Sequence, residues 1–163
     1  VGEKPQIGVP PPNVGIVFDV SMWPLVVVTM PHATSVEDIT YLQESYEHVF
    51  SAATRHALLV DTTGIQEIPD ATLRRRMKEF EDGRRPIIQQ KNIGSAIVLS
   101  NALVRGAFTA LRWISPQPAP NKGFRSVPEA ARWCVQGIEK DGQIVPLAAY
   151  ELANMTAAAS ELA

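Results

Sequence analysis

Short apolar runs recur along this chain, each followed by apolar residues spaced three and four apart, and this alternation constrains the fold more than any other feature. Leu25 to Met30, Ala57 to Val60 and Ser95 to Leu99 are the clearest runs. Each suits a buried strand, where branched side chains pack well on a pleated surface. Upstream, Ile16, Phe18 and Val20 alternate with Val17 and Asp19, the period of a strand. Ser21-Met22-Trp23-Pro24 makes a turn, so the first two strands form a hairpin.

Helices fill the gaps. Ser35 followed by Asp38 resembles a capping box, with Asp in place of the usual Glu. Ile39, Leu42, Tyr46, Val49, Phe50 and Ala53 then predict a helix over 36–53. Leu73, Met77 and Phe80 mark one face of a second helix, which Gly83 and Pro86 break or end. Asn101 caps a third, whose inner face holds Leu103, Ala107, Ala110, Leu111 and Ile114. Pro116, Pro118 and Pro120 stiffen the next loop, and Gly123 to Val127 is a short edge strand. Pro128 opens a fourth helix with Ala131, Cys134, Val135 and Ile138 inward. The order is β-β-α-β-α-β-α-β-α, which predicts an α/β protein with a sheet covered by helices. Residues 1–13 form a Pro-rich extended arm, with order beginning near Val14. Residues 14–140 are the folded domain. Residues 141–163 are an Ala-rich tail, helical and with a thin apolar face.

Of 163 residues, 45% are hydrophobic and 20% charged, enough for a proper core and too apolar for a disordered chain. The single cysteine, Cys134, excludes a disulfide scaffold and hints at a reducing compartment. A formal charge of -2 provides no basic field for nucleic acid. No apolar run approaches the roughly 20 residues of a membrane span, and no signal-peptide pattern opens the chain. The expected location is therefore cytoplasmic.

Catalytic and metal signatures are weak. His32, His48 and His56 lack metal-ligand spacing, and Cys134 sits on an inward helix face as a small core residue. No Gly-rich loop precedes a helix with a Lys, so no phosphate cradle is expected. Asp61, Asp70 and His56 could act as acids or bases, but spacing alone does not bring them together. Arg74-Arg75-Arg76 and Arg84-Arg85 read as a solvated helix face paired with Glu79, Glu81 and Asp82, or else as a docking surface for an acidic partner. No metal or cofactor is expected.

Leu58-Leu59-Val60-Asp61-Thr62-Thr63-Gly64-Ile65, followed by Asp70-Ala71-Thr72-Leu73, resembles the third strand and second-helix start of the STAS family, the domains of anti-sigma-factor antagonists and sulphate-transporter tails. Phe124-Arg125-Ser126-Val127-Pro128-Glu129-Ala130-Ala131-Arg132-Trp133 resembles a divergent bacterial STAS-like branch. The resemblance covers about Val14 to Gln136 and implies a non-enzymatic regulatory or scaffold module that binds a protein. In the family's antagonists a serine at the second helix start is phosphorylated. Aligned without gaps, that position falls on Asp70, with Pro69 at the family aspartate and Thr72 at the glycine. With a one-residue gap, Asp70 takes the aspartate and Ala71 the serine. Neither alignment leaves a serine there, and Thr72 is the nearby hydroxyl.

Asp70 suits an ordinary N-cap, because free N–H groups and the helix dipole favour a carboxylate there. It also suits a fixed negative charge that mimics a modified switch. The expected partner-binding residues are Asp70, Thr72, Arg75, Asp61 and Thr63, with Thr72 as the possible phospho-acceptor. The partner is a protein, and a homodimer is an option through Leu25–Met30 or the tail. The alternative is a carrier of a small molecule or lipid, using a pocket lined by Trp23, Trp113 and Trp133.

Overall fold

A computed structural model describes residues 2–99, 101–114 and 117–156, with the side chains of 109–114 outside that description. Its elements are β1 (Val17–Asp19), β2 (Leu25–Thr29), α1 (Val36–Ser51), β3 (His56–Asp61), α2 (Ala71–Gly83), α3 (Arg85–Lys91), β4 (Asn92–Val98), α4 (Ala102–Ile114), β5 (Asn121–Phe124), α5 (Val127–Lys140) and α6 (Leu147–Asn154). The five strands form one sheet in the order β1-β2-β3-β4-β5. β1 is antiparallel to β2, and every later pair is parallel. The fold is thus α/β with a mixed sheet and helical cover, as the alternating pattern implies.

Each crossover needs a helix, because parallel neighbours cannot be joined by a tight turn. Successive side chains of a strand face opposite sides. On β3, Leu58 enters one core and Ala57 and Leu59 the other. The first core receives Ile39, Leu42 and Val49 of α1, Leu73 of α2 and Val104 of α4. The second receives Ala130, Ala131, Cys134, Val135 and Ile138 of α5, and Ala149 and Ala153 of α6. The crossover helices therefore share one face, and α5 with α6 covers the other. Small residues let α5 approach the sheet closely. At Gly94 of β4 a Cβ would lie 2.6 Å from the Trp133 ring, so glycine makes room for that indole.

Several expectations shift. Helix α2 does stop at Gly83, but Pro86 fits the first turn of a new helix, α3, where its missing N–H is harmless. Strand β4 starts three residues earlier than the apolar run, at Asn92. Strand β5 is an edge strand but covers 121–124, because Ser126 caps α5 and Val127 is already helical. On α4, Asn101 Oδ1 accepts the Leu103 N–H at 2.8 Å, as a cap should. Leu103 itself is 52% exposed, and Val104 is the buried residue. Ala107 does face the cavity as expected, and Val104 takes the inward place given to Leu103; Ala110, Leu111 and Ile114 lie outside the described side chains, as does Pro116. The tail forms α6 and docks on α5, while 157–163 lie outside the described residues.

The arm is ordered well before Val14. Pro5 is buried, Ile7 packs against the first core, and the Tyr41 hydroxyl donates to the Gly8 carbonyl at 3.1 Å. Proline pre-sets an extended backbone, so less entropy is lost when the arm is laid down. Asp38 secures where the arm turns into β1. Its carboxylate accepts N–H bonds from Gly15 (2.7 Å), Ile16 (3.1 Å) and Ser35 (2.8 Å), and the Ser35 hydroxyl bond (2.8 Å). Ser35 Oγ accepts the Asp38 N–H in return, completing the capping box. Burial opposes the charge on Asp38, but the bonds from Ser35, Ile16 and Gly15 together hold its carboxyl below the ordinary 3.8. A lowered folded pKa adds stability that is complete above pH 3.8 and is lost as pH falls through the folded value. Asp38→Ala should lower unfolding free energy by about 2–3 kcal/mol in urea denaturation at neutral pH. An unchanged midpoint would contradict this role.

Candidate functional site

The two faces of the sheet are covered differently. Beneath α1, α2, α3 and α4 lies a cavity of about 360 Å³. Its floor is the sheet: Val28 of β2, Leu58 and Val60 of β3, Ile97 of β4. Its roof is Leu42, Tyr46 and Phe50 of α1, Met77 and Phe80 of α2, Ile88 of α3, and Val104 and Phe108 of α4. Aromatic contacts hold this roof together. Tyr46 meets Phe18 edge-on at 5.3 Å and stacks with Phe50 at 5.9 Å and Phe80 at 6.4 Å. Helix α2 buries only Leu73, so it spans the space rather than filling it. Burial raises the Tyr46 pKa far above its ordinary value, as does the nearby Glu81 charge. Burial likewise raises that of Glu81, and Asp82 adds to it.

Polar side chains collect at the end where β3, β4 and β5 begin. His56 of β3, Asn92 and Ser95 of β4 and Asn121 of β5 all line the cavity there. The register explains the row: His56 lies opposite Asn92, and Ser95 opposite Asn121. Asn92 Nδ2 donates to Ser95 Oγ at 2.8 Å, and Asn92 Oδ1 accepts the Gly94 N–H at 2.9 Å. His56 is 1% exposed and lies between the rings of Trp23 (6.0 Å) and Phe50 (6.2 Å). Desolvation, with the charges of Lys91 and Arg55, pushes its pKa down to about 4, so the ring is neutral at pH 7. His56 Nδ1 and Asn121 Oδ1 are buried without a hydrogen-bond partner.

The residues expected to bind a partner lie elsewhere, at the opposite end of the sheet, where the parallel strands finish. Asp61 Oδ1 accepts the Thr63 N–H at 2.9 Å, and Thr63 is exposed. Asp70 caps α2, its Oδ1 accepting the Leu73 N–H at 2.9 Å. Thr72 is exposed at the second position of that helix, and Arg75 is exposed with Glu79 at 3.9 Å. Thr62 alone of the turn points inward, donating to the Val98 carbonyl. The other arginines divide between solvent pairing and packing. Arg84 and Arg85 pair with Glu47 and Asp82, Arg76 donates to Thr40 and Gln43, and Arg74 reaches the Pro69 carbonyl and lines the cavity.

The three tryptophans do not make a common pocket. Trp23 packs in the first core, its Nε1 donating to Thr54 Oγ1 at 3.2 Å. Trp133 belongs to α5 on the other face, against Phe124 at 5.9 Å. The Trp113 side chain lies outside the described residues. A cavity exists, but aliphatic and phenyl side chains line it, because α5 carries Trp133 to the other side of the sheet. The row His56, Asn92, Ser95 and Asn121 is a feature that motif reading passed over. Its only sequence signal is the set of polar residues placed among apolar strand positions.

The acid–base candidates do not meet. His56 and Asp61 stand at opposite ends of β3, about 16 Å apart by strand rise. His32 sits at the Asp61 end, its Nδ1 2.6 Å from the Gly64 carbonyl. Cys134 is buried, its pKa pushed up to about 12 by desolvation, which suits a packing residue. Among the described residues no three His, Cys, Asp or Glu side chains are grouped to hold a metal ion. No described helix is long and apolar enough to cross a membrane. No protein-family model, curated protein or solved structure matches the chain.

His56 makes a pH dependence testable. Its folded pKa is below the ordinary 6.5, so the unfolded chain binds its proton more tightly. Stability should therefore fall on acidification from pH 6.5 to about 4, by about 3 kcal/mol in total. Urea unfolding across that window should show this slope in the natural chain and not in His56→Phe. An equal slope in both would assign it to another group.

Proposed function

We propose that this chain is a non-enzymatic binding module whose ligand is a small, largely apolar molecule held between the sheet and α1–α4. The cavity of about 360 Å³ between the sheet and these helices carries this reading. Sites for small molecules are concave, mainly apolar and equipped with a few placed polar groups. This cavity combines aliphatic and phenyl walls with a row of polar side chains at one end. Water gains little against such walls, whereas an apolar body gains roughly 25 cal/mol for each Å² removed from water.

The resemblance to STAS domains supports the non-enzymatic half of the reading. Recognition of a protein through the start of α2 has less behind it. The Asp70 carboxylate is already engaged by the Leu73 N–H, and Arg75 faces Glu79. Thr72 and Arg75 do stand on the outer side of the helix whose Met77 and Phe80 roof the cavity. Ligand occupancy and any outer contact of α2 would thus act on the same element.

The test is a fluorescence titration with N-phenyl-1-naphthylamine, a neutral apolar probe that brightens out of water. Saturable one-to-one binding is expected. Ala107→Phe places a ring into the cavity from α4 and should weaken binding about ten-fold or more while the far-ultraviolet circular dichroism stays unchanged. Absence of saturable binding, or equal binding by a folded Ala107→Phe, would overturn the proposal.

A further inference from the structure

An apolar cavity explains why a ligand enters, but not what kind of polar group it carries. The row at the polar end answers that. Buried polar atoms are nearly always hydrogen-bonded, and leaving one unpaired is costly. Among the described residues, three buried side-chain atoms lack a partner: Thr34 Oγ1, His56 Nδ1 and Asn121 Oδ1. Two of the three residues, His56 and Asn121, line the same end of one cavity. Between them stands Ser95, whose Oγ accepts from Asn92 and whose own O–H is free to donate.

The polar atoms at this end favour a neutral head. Asn121 Oδ1 is an acceptor and asks for a donor, which a carboxylate lacks. A neutral imidazole can accept or donate but cannot balance an anion. Lys91 Nζ is held by the carbonyls of Ala52 (2.6 Å) and Ala53 (3.1 Å) and does not line the cavity. Arg55 is held by Asp141 and the Gln90 carbonyl. Arg74, the described cation that does line the cavity, lies in the first turn of α2, at the other end. Glu81, in the last turn of α2, adds a carboxylate to the wall. An ionised carboxylate at the row would thus be buried without an ion-pair partner, at a large desolvation cost.

We infer that the row of His56, Ser95 and Asn121 binds the uncharged hydroxyl head of an amphipathic ligand whose apolar body fills the cavity. The head donates to Asn121 Oδ1 and accepts from the Ser95 hydroxyl, with the imidazole completing the site as donor or acceptor. This inference rests on the cavity being a ligand site.

Three probes of equal chain length test it: decan-1-ol, decanoate and decylamine, each displacing N-phenyl-1-naphthylamine at pH 7.5. Decan-1-ol should displace at least about ten-fold more effectively than either charged probe. Asn121→Leu and His56→Phe should each weaken decan-1-ol about five- to ten-fold while still binding the fluorescent probe. Equal or better displacement by decanoate or decylamine overturns the inference, as does unchanged decan-1-ol affinity in both variants. In either of those outcomes the cavity remains a ligand site. Failure of the fluorescent probe to bind the natural chain instead removes the cavity reading and this inference together. Two variants are used because His56 is fully buried, whereas Asn121 begins an edge strand and tolerates change better.

Discussion

Strand β3 is the element on which the rest depends. It pairs on both sides, with β2 and with β4, and its side chains alternate between two cores. Each face must therefore be covered, and the two covers differ in kind. On one face Ala57 and Leu59 meet Ala130, Ala131 and Cys134, small residues that bring α5 close and leave little space. On the other, His56, Leu58 and Val60 meet long aromatic side chains from α1 and α2. Large side chains reaching from separate helices prop a roof, and the space beneath it is the cavity. The same alternation that builds the sheet thus decides which face is packed and which can hold a ligand.

Much of this was legible in the chain. Strands β2 and β3 and helices α1 and α5 follow from runs of Val, Leu and Ile and from apolar residues one helical turn apart. The cap at Ser35 and Asp38 was readable because its two residues act on each other locally. Misplacements came where local chemistry competes with pattern. Gly83 and Pro86 signal a stop, yet the same proline suits a helix start, and α3 resulted. The apolar signal of β4 begins after Asn92, although the polar end of the strand still pairs with His56. Arm order was hidden because its contacts are few and distant in sequence: Tyr41 to Gly8, Asp38 to Gly15 and Ile16.

The site was less legible than the fold. A pocket was foreseeable from an excess of apolar residues, but not its walls, since Trp23 and Trp133 are assigned to opposite faces only by tertiary placement. The polar row has no spacing of its own in the sequence. His56, Ser95 and Asn121 are separated by tens of residues and become neighbours through strand register alone. Their chemistry also reverses on folding. A histidine that would be half-charged near pH 6.5 in water becomes a neutral group in an apolar wall, and its unpaired nitrogen becomes a directional feature.

The four methionines allow the most direct measurement. Met30 and Met77 line the cavity, whereas Met22 packs on the opposite face and Met155 follows α6. Methyl resonances of the full chain, labelled with carbon-13 at methionine, would be followed while decan-1-ol is added. Saturable shifts are expected at Met30 and Met77, with Met22 and Met155 unmoved. Shifts at Met22 or Met155 with Met30 and Met77 silent would place the ligand elsewhere and contradict a ligand site in the cavity.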